Sequence, residues 1–281
     1  MLSGALLLNR DFSLKDFFKK RFSRIVYPYI FWISITVILG YFFFGFSDNI
    51  PLIILGEQKY TWFVWTLAGL YLFIPVINSF IKEFSLDGIK YFLIIWIVTI
   101  ILNTFRHYPF HALELSYFAG YLGYLLLGYY LVKVPIKNTK KIMILSLIFF
   151  ILSLLIHIGL RIYQCPFIDN TGYLNLMVVF ESACFVLFCR CFEENSYKNL
   201  NAFSSKLFKL LKNTYISSVI YSLSIFSYSM YFTHIIIINI FNNYTAVPNI
   251  FIYYFIVVIS SFVLSWIFYQ IPYIKDFTGV N

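Results

Sequence analysis

Apolar residues occur along the chain in long blocks separated by short polar segments, and eight blocks are long enough to cross a bilayer. A membrane-spanning helix takes about 20 predominantly apolar residues. Because lipid offers no hydrogen-bond partners to the backbone, each block is predicted to be helical. The block at 88–102 is short and is expected to extend into its flanks. The predicted spans are approximately 25–44, 62–81, 88–102, 115–134, 142–160, 172–191, 216–241 and 249–270.

The basic residues of the intervening segments alternate in a way that supports this count. Segment 9–24 carries six Lys/Arg, segment 133–141 carries four, and segment 190–215 carries five, whereas the alternate segments hold at most one. Cytoplasmic loops are enriched in Lys and Arg. The three basic segments are therefore predicted to be cytoplasmic, and the C-terminus is predicted to lie on the same side.

A shorter apolar run, MLSGALLL, precedes the first predicted span and ends at Asn9 and Arg10. It is too short to span a bilayer and has neither the basic start nor the cleavage site of a signal peptide. We interpret it as the remnant of another transmembrane helix.

The amino-acid composition also indicates a membrane protein. Hydrophobic residues make up 61% of the 281 residues and charged residues 12%, against roughly 25% charged in soluble domains. The sequence predicts an all-α integral membrane protein, a bundle of about eight transmembrane helices plus the N-terminal remnant, forming a single domain over 1–281. The net charge of +9 is assigned to membrane orientation, and no nucleic acid is expected as a partner.

Two ionisable residues inside predicted spans are candidate site residues, because burying such groups in a bilayer is costly. Glu181 lies near the middle of its span. It either has a basic partner or a wet cavity, or is protonated and simply hydrogen-bonded. His234 follows a stretch rich in Ser and Tyr, SSVIYSLSIFSYSMYFTH. That helix either turns its hydroxyls, Ser229 and Tyr231 among them, to a polar cavity, or satisfies them on its own backbone.

The remaining candidates for metal or redox chemistry are weak. His107, His111 and Glu114 lie close together in one outer loop, but Pro109 interrupts the helical spacing that a metal site there needs. The four cysteines form no CxxC pair. No metal site and no bound cofactor are predicted.

The basic stretch FFKKRFSR admits two interpretations. It is either a positively charged flank that fixes the orientation of the next span, or an anion site in which Arg21 and Arg24, three residues apart on one helix face, bind phosphates. Spacing alone does not separate the two.

Several segments, taken in order, resemble the membrane acyltransferase 3 family. FFKKRFSRIVYPYIFW is similar to the basic segment that follows that family's second helix. TWFVWTLAGLYLFIPVINSFIK, GYLGYLLLGYYL, FSYSMYFTHIIII and IPYIKDFTG resemble later segments, so the likeness covers nearly the whole chain. MLSGALLL resembles the end of the second helix. On this comparison the first helix and most of the second, with an essential histidine, are expected to be absent.

The resemblance implies an O-acyltransferase that moves an acyl group, often acetyl, from cytoplasmic acyl-CoA to a sugar of a surface polysaccharide or glycolipid. It places Arg21 and Arg24 on the donor-binding basic motif and His234 on a late catalytic histidine. Glu181, Tyr231 and Ser229 remain candidates for the substrate cavity. The implied partners are the bilayer, acyl-CoA and a glycan or lipid-linked sugar, in a bacterial plasma membrane. The alternatives are an exporter of polysaccharide or lipid-linked sugar with the same fold, and an inactive fragment.

Overall fold

The structure of the chain is a computed structural model that describes residues 1–43, 61–104, 120–163, 172–197, 211, 213–244 and 249–280. These residues form helices and contain no strand. In chain order the helices are α1 (Leu2–Leu7), α2 (Leu14–Phe43), α3 (Trp62–Thr104), α4 (Leu122–Lys133), α5 (Thr139–Ile162), α6 (Leu176–Tyr197), α7 (Thr214–Tyr244) and α8 (Ile250–Tyr269), followed by a 3₁₀ helix (Lys275–Phe277).

All eight predicted apolar blocks are represented in these helices. The blocks 62–81 and 88–102 form the two arms of α3, which are separated at Ser85, where the backbone leaves the helical region (φ 54°, ψ −149°). A positive φ is uncommon for a residue other than glycine. The junction between the two predicted spans is therefore a sharp break in the helix rather than a loop.

Length and composition confirm the membrane class. Within the described residues, five helices are long and apolar enough to span a bilayer: α2, α3, α5, α7 and α8. The described part of α4 is shorter, and α6 carries Glu181, Arg190, Glu193 and Glu194. Many large apolar side chains of these helices are exposed, such as Phe251 and Phe255 on α8. Lipid covers such surfaces in an all-α integral membrane protein.

The chain divides by its packing into two compact units, each built from separate stretches of sequence. Unit 1 contains Met1–Asp11 and Phe73–Leu211, and unit 2 contains Phe12–Leu72 and Lys212–Asn281. Their internal contacts are described in turn.

In unit 1, α5 and α6 form an antiparallel hairpin with polar contacts near both ends. At one end Thr139 Oγ1 donates to Asn195 Oδ1 at 2.9 Å. At the other, His157 Nδ1 lies 3.0 Å from Glu181 Oε1. The Phe150 and Phe185 rings pack between them, 5.6 Å apart. Interhelical hydrogen bonds of this kind hold helices together in lipid, where the hydrophobic effect gives little attraction between them.

Arg190 joins α6 to the end of α4. Its guanidinium donates to the carbonyl oxygens of Leu131 and Val134 and to Glu194 Oε1. The last carbonyls of a helix have no partner within the helix. Arg190 therefore donates hydrogen bonds to carbonyl groups at the end of α4, and the Glu194 carboxylate offsets the positive charge of its guanidinium group.

Glycines allow a close helix approach in unit 1, between α1 and α4. A Cβ added at Gly4 would overlap the carbonyl oxygen of Leu125, and one at Gly128 would overlap the backbone of Met1. Small residues at a crossing allow helix backbones to approach closely in membranes. The run MLSGALLL thus packs tightly on α4.

The segment that follows α1 is held by α3. Asn9 has a positive φ of 57°, and its amide donates to Asn78 Oδ1 at 2.8 Å. The Asn78 amide in turn donates to the carbonyl oxygen of Arg10. Lys82 hydrogen-bonds Asp11 and lowers the pKa of that carboxyl. These contacts fix the position of residues 9–11 on the first arm of α3.

In unit 2, α2 and α7 run in the same direction and α8 runs antiparallel to α7. The Tyr228 hydroxyl lies 3.5 Å from the Ile25 carbonyl oxygen, and the Phe232 ring lies 6.3 Å from that of Tyr29. The α7 residue lies 203 positions after its α2 partner in both pairs, so the two helices are parallel and keep one register. The parallel direction is the one that the basic segments before α2 and α7 predict.

The glycine crossing generates a stability prediction. Gly4→Ala and Gly128→Ala should each destabilise the protein by about 1–3 kcal/mol, because the new methyl group meets backbone that has little room to move. Thermal unfolding of the purified protein in detergent measures the effect.

Gly159→Ala is the matched control, since a Cβ at this helical glycine meets no atom within 4 Å. It should raise stability by roughly 0.5–1 kcal/mol, the usual difference between Gly and Ala in a helix. Equal effects of all three substitutions would contradict the tight crossing.

Candidate functional site

The two predicted donor-binding arginines lie near the start of α2. Arg21 is half-buried and Arg24 is exposed, and the structure records no hydrogen bond or ion pair for either side chain among the described residues. Lys19 and Lys20 beside them are exposed. This end of α2 therefore presents cationic groups that are available to an anionic ligand.

An aromatic core follows on the same helix. Tyr29 and Trp32 of α2 pack with Val64 of α3 and with Phe232 and Ile236 of α7. The Tyr29 and Trp65 rings meet edge to face, with centroids 5.8 Å apart. Because these buried side chains and aromatic pairs pack together, α2 and α7 are held in a fixed register.

That register places His234 relative to the arginines. Residues 25 and 29 of α2 pair with residues 228 and 232 of α7, so His234 lies at the level of Phe31. At 1.5 Å per residue, the axial offset is about 10 Å from Arg24 and about 15 Å from Arg21. His234 is thus about two to three helical turns beyond the basic end of unit 2, well inside the span.

The hydrogen bond of His234 defines its tautomer. Nδ1 lies 3.2 Å from the carbonyl oxygen of Met230, which only accepts, so Nδ1 carries the proton. In the neutral ring Nε2 then has a lone pair that accepts a hydrogen bond. The ring is half-buried and packs against Tyr231, with centroids 5.7 Å apart. Tyr231 itself packs on Phe63.

Ser229 lies on a different side of α7. At 100° per residue it is about 140° from His234 and about 40° from Thr233. Thr233 Oγ1 lies 3.1 Å from the Ser261 carbonyl oxygen and 3.2 Å from Ser265 Oγ. Ser229 is fully buried, and its hydroxyl has no hydrogen-bond partner within the described residues. The structure thus places Ser229 on the face that packs toward α8, while Tyr231 and His234 share another face.

Four other serines of α7 differ from Ser229 and Thr233 in burial. Ser217, Ser218, Ser224 and Ser227 are exposed, and Ser227 Oγ donates to the Ser224 carbonyl oxygen. Thr233 and Ser229 are buried.

The C-terminal segment, residues 275–279, completes this part of unit 2. Trp32 Nε1 donates to the Thr278 carbonyl oxygen at 3.0 Å, and both residues are fully buried. Gly279 has φ +83°, and its Cβ position would lie 2.8 Å from the Tyr228 ring and 3.1 Å from Pro28. The segment therefore packs against α2 one turn beyond Arg24.

Glu181 belongs to unit 1, whereas the other candidates belong to unit 2. Its partner is His157, and the two side chains are 13% and 14% exposed. This supports the interpretation of Glu181 as a carboxyl group with a basic partner. Hairpin register is the signal that would have found His157: it lies five residues before the end of α5, and Glu181 lies five residues after the start of α6.

Other sequence candidates cannot be placed. His107, His111 and Glu114 lie outside the described residues, as does Cys165. Among the residues that are described, no group of three or more His, Cys, Asp or Glu is arranged to hold a metal ion. Of the six candidate site residues, unit 2 holds Arg21, Arg24, Ser229, Tyr231 and His234.

Comparison with known proteins gives one match. A family model described as an acyltransferase domain, that of the acyltransferase 3 family, matches residues 1–270. No curated protein and no solved structure matches the chain.

The buried Trp32 hydrogen bond generates a second prediction. Trp32→Phe keeps the aromatic packing but leaves the Thr278 carbonyl oxygen without its donor, which should cost about 1–3 kcal/mol. We expect a lower unfolding temperature and faster release of the last residues by carboxypeptidase. Trp65→Phe is the control, because the described structure gives that indole no hydrogen bond and the ring is half-exposed. If Trp32→Phe and Trp65→Phe both keep the wild-type unfolding temperature and carboxypeptidase release, the hydrogen bond does not stabilise the C-terminal segment.

Proposed function

This chain belongs to the acyltransferase 3 family, and we propose that it is an integral membrane O-acyltransferase that moves an acyl group from cytoplasmic acyl-CoA to a hydroxyl group of a surface polysaccharide or glycolipid sugar. Acetyl is the proposed acyl group. The family supports acyl transfer as the reaction class, and the five apolar spans support the membrane setting. The donor, the acceptor and the residues that bind them are our proposal.

Arg21 and Arg24 are proposed to bind the phosphates of the donor. Guanidinium groups match phosphate geometry and remain charged when partly buried. Both side chains lie at the end of α2 that follows a basic segment, which the positive-inside bias assigns to the cytoplasm. We therefore propose a cytoplasmic donor site and a cytoplasmic C-terminus in a bacterial plasma membrane.

His234 is proposed to position the acceptor. Its Nε2 lone pair accepts a hydrogen bond from a sugar hydroxyl, which orients the oxygen for attack on the thioester carbonyl. In the reaction the carbonyl carbon forms a bond to the sugar oxygen and its bond to sulfur breaks. The hydroxyl proton ends on the departing thiolate, so the products are an ester and the free thiol.

The observation that carries this proposal is the register of α2 and α7. It sets the basic end of α2 and His234 in one compact unit, about 10–15 Å apart along the helix axis. Coenzyme A has the same polarity, with phosphates at one end and the thioester at the end of an extended arm. Tyr231, which is half-buried, supplies aromatic surface between these two levels.

The donor site is tested by binding. Arg21→Ala and Arg24→Ala should each weaken binding of coenzyme A by about 10-fold or more, since charge-assisted hydrogen bonds contribute roughly 1.5–3 kcal/mol. Isothermal titration of the protein in lipid nanodiscs measures this directly. Lys19→Ala, an exposed cation on the same helix, should have a smaller effect. Equal affinity in all four proteins would refute the donor site.

The reaction itself is tested in cells. A deletion strain complemented with Arg24→Ala should carry less acyl group per sugar on its surface glycan, with the amount of glycan unchanged, as mass spectrometry can measure. Loss of the polymer with unchanged acyl content would instead support an exporter.

His234 gives a separate kinetic prediction. His234→Phe keeps the ring that packs on Tyr231 but removes both nitrogens, and should lower the transfer rate by about 100-fold or more, as expected for loss of a proton-handling group. Coenzyme A binding should not change. The variants His234→Asn and His234→Gln test which of the two ring nitrogens the reaction needs. A transfer rate within twofold of wild type in the Phe variant would exclude the role.

A further inference from the structure

The start of α2 carries two pairs of cationic side chains on opposite sides of the helix. At 100° per residue, Lys15 and Lys19 lie about 40° apart, and Arg21 and Arg24 lie about 60° apart. The centres of the two pairs are separated by about 170°. Only the arginines enter the proposed donor site, so the two lysines form a second positive surface whose role is a separate question.

The arginine side of α2 packs against the protein. Phe17 and Pro28 lie within about 40° of both arginines, and both are buried. The Phe17 ring stacks on Phe12, with centroids 4.4 Å apart, and meets the Tyr71 ring edge to face at 6.4 Å. The arginines therefore lie on the side of α2 that is turned toward other residues of unit 2.

The lysine side of α2 is turned toward lipid. Val26 and Ile30 lie on the same side as the two lysines, with all four residues within about 60°. Val26 is 37% exposed and Ile30 is 55% exposed. Because α2 is long and apolar enough to span a bilayer, lipid covers exposed apolar side chains within it. Lys15, Lys19, Val26 and Ile30 thus form one row, the lysine row, with cations at its start and lipid-facing residues farther along.

The spacing within the lysine row matches the length of a lipid in one leaflet. At 1.5 Å per residue, Val26 lies about 10 Å beyond Lys19 along the helix, and Ile30 lies about 17 Å beyond it. One leaflet supplies about half of the roughly 30 Å hydrocarbon core. A phospholipid whose phosphate lies at the lysines therefore has its acyl chains alongside Val26 and Ile30.

The charges of the two lysines are not neutralised by the protein. Among the described residues, the structure records no ion pair for Lys15 or Lys19. The nearby Asp16 carboxylate accepts a hydrogen bond from the Ser13 hydroxyl at 2.6 Å, at the start of α2. By contrast, Lys82 in unit 1 has an aspartate partner at 2.5 Å. The lysine row therefore offers two ammonium groups to an anion from outside the protein.

We propose that Lys15 and Lys19 bind the headgroup phosphate of an anionic phospholipid, such as phosphatidylglycerol, whose acyl chains contact Val26 and Ile30. Lysine binds phosphate as a compact point charge, and basic residues beside a membrane span attract anionic lipids. Phe22 is half-buried at the same level, where aromatic side chains anchor a helix among headgroups. The site does not depend on the acyl transfer proposed above.

Lipid retention in native mass spectrometry tests the site. The purified protein is supplied with equal amounts of dioleoyl-phosphatidylglycerol and dioleoyl-phosphatidylcholine, and the wild type should retain the anionic lipid preferentially. Combining Lys15→Gln with Lys19→Gln should lower the retained ratio of phosphatidylglycerol to phosphatidylcholine by about tenfold, since each lysine near the headgroups adds to the attraction. The absence of a preference in the wild type, or an equal preference in the double variant, would overturn the proposal.

A matched control removes the same charge from the opposite side of the helix. Arg21→Gln combined with Arg24→Gln should keep the preference for phosphatidylglycerol and lose coenzyme A binding, whereas the lysine double variant should show the reverse. Equal loss of lipid preference in the two double variants would mean that net charge alone attracts the lipid, and would overturn the site. Because each ligand is measured separately, failure of the donor site and failure of the lipid site are distinguishable.

A soluble competitor distinguishes a lipid from a free phosphate compound. A large molar excess of sn-glycerol 1-phosphate carries the phosphate without acyl chains, so it makes no contact with Val26 and Ile30. It should leave the retained phosphatidylglycerol in place. Displacement of the lipid by this compound would show that the lysines bind soluble phosphates, and would overturn the assignment of a phospholipid.

Discussion

The absence of hydrogen-bond partners in lipid is the constraint on which the whole structure depends. It makes every described span helical, because only a helix pairs its backbone groups within the segment. The same constraint governs side chains, which bond to a neighbouring helix or to their own backbone. Thr233, Thr139 and Trp32 each reach a partner on another element. With little hydrophobic attraction between helices, these few polar contacts and the glycine crossing of α1 and α4 specify the packing.

Much of the fold could be predicted from the sequence because hydropathy and loop charge report directly on the bilayer. All eight apolar blocks are represented in the helices of the described residues, and the parallel direction of α2 and α7 agrees with the basic segments. The sequence predicts an interruption near Ser85 but not its form, since the context EFSLDG resembles an ordinary short turn rather than a single-residue break in one helix. The sequence pattern also does not predict the division into two units, because each unit combines stretches that are distant in the chain.

The candidate site was less predictable, and the reason is geometric. Their positions inside apolar spans marked Glu181 and His234 as candidates, but did not give their partners, which depend on register between helices. The sequence does not pair His157 with Glu181, and Ser229 faces a different side of α7 from His234. A sequence gives the angle of each residue around its own helix. It does not give the rotation of that helix against its neighbours, which packing decides.

The contact between Trp32 and Thr278 has a consequence for biosynthesis. Unit 2 joins residues 12–72 to residues beyond 212, with most of unit 1 synthesised between them. During translation α2 enters the membrane long before α7, α8 and the C-terminal segment exist to cover Trp32. Contacts so distant in sequence form slowly. Helix α2 therefore remains only partly packed until the ribosome has synthesised nearly all of the remaining chain. During this interval the nascent chain is most exposed to quality control.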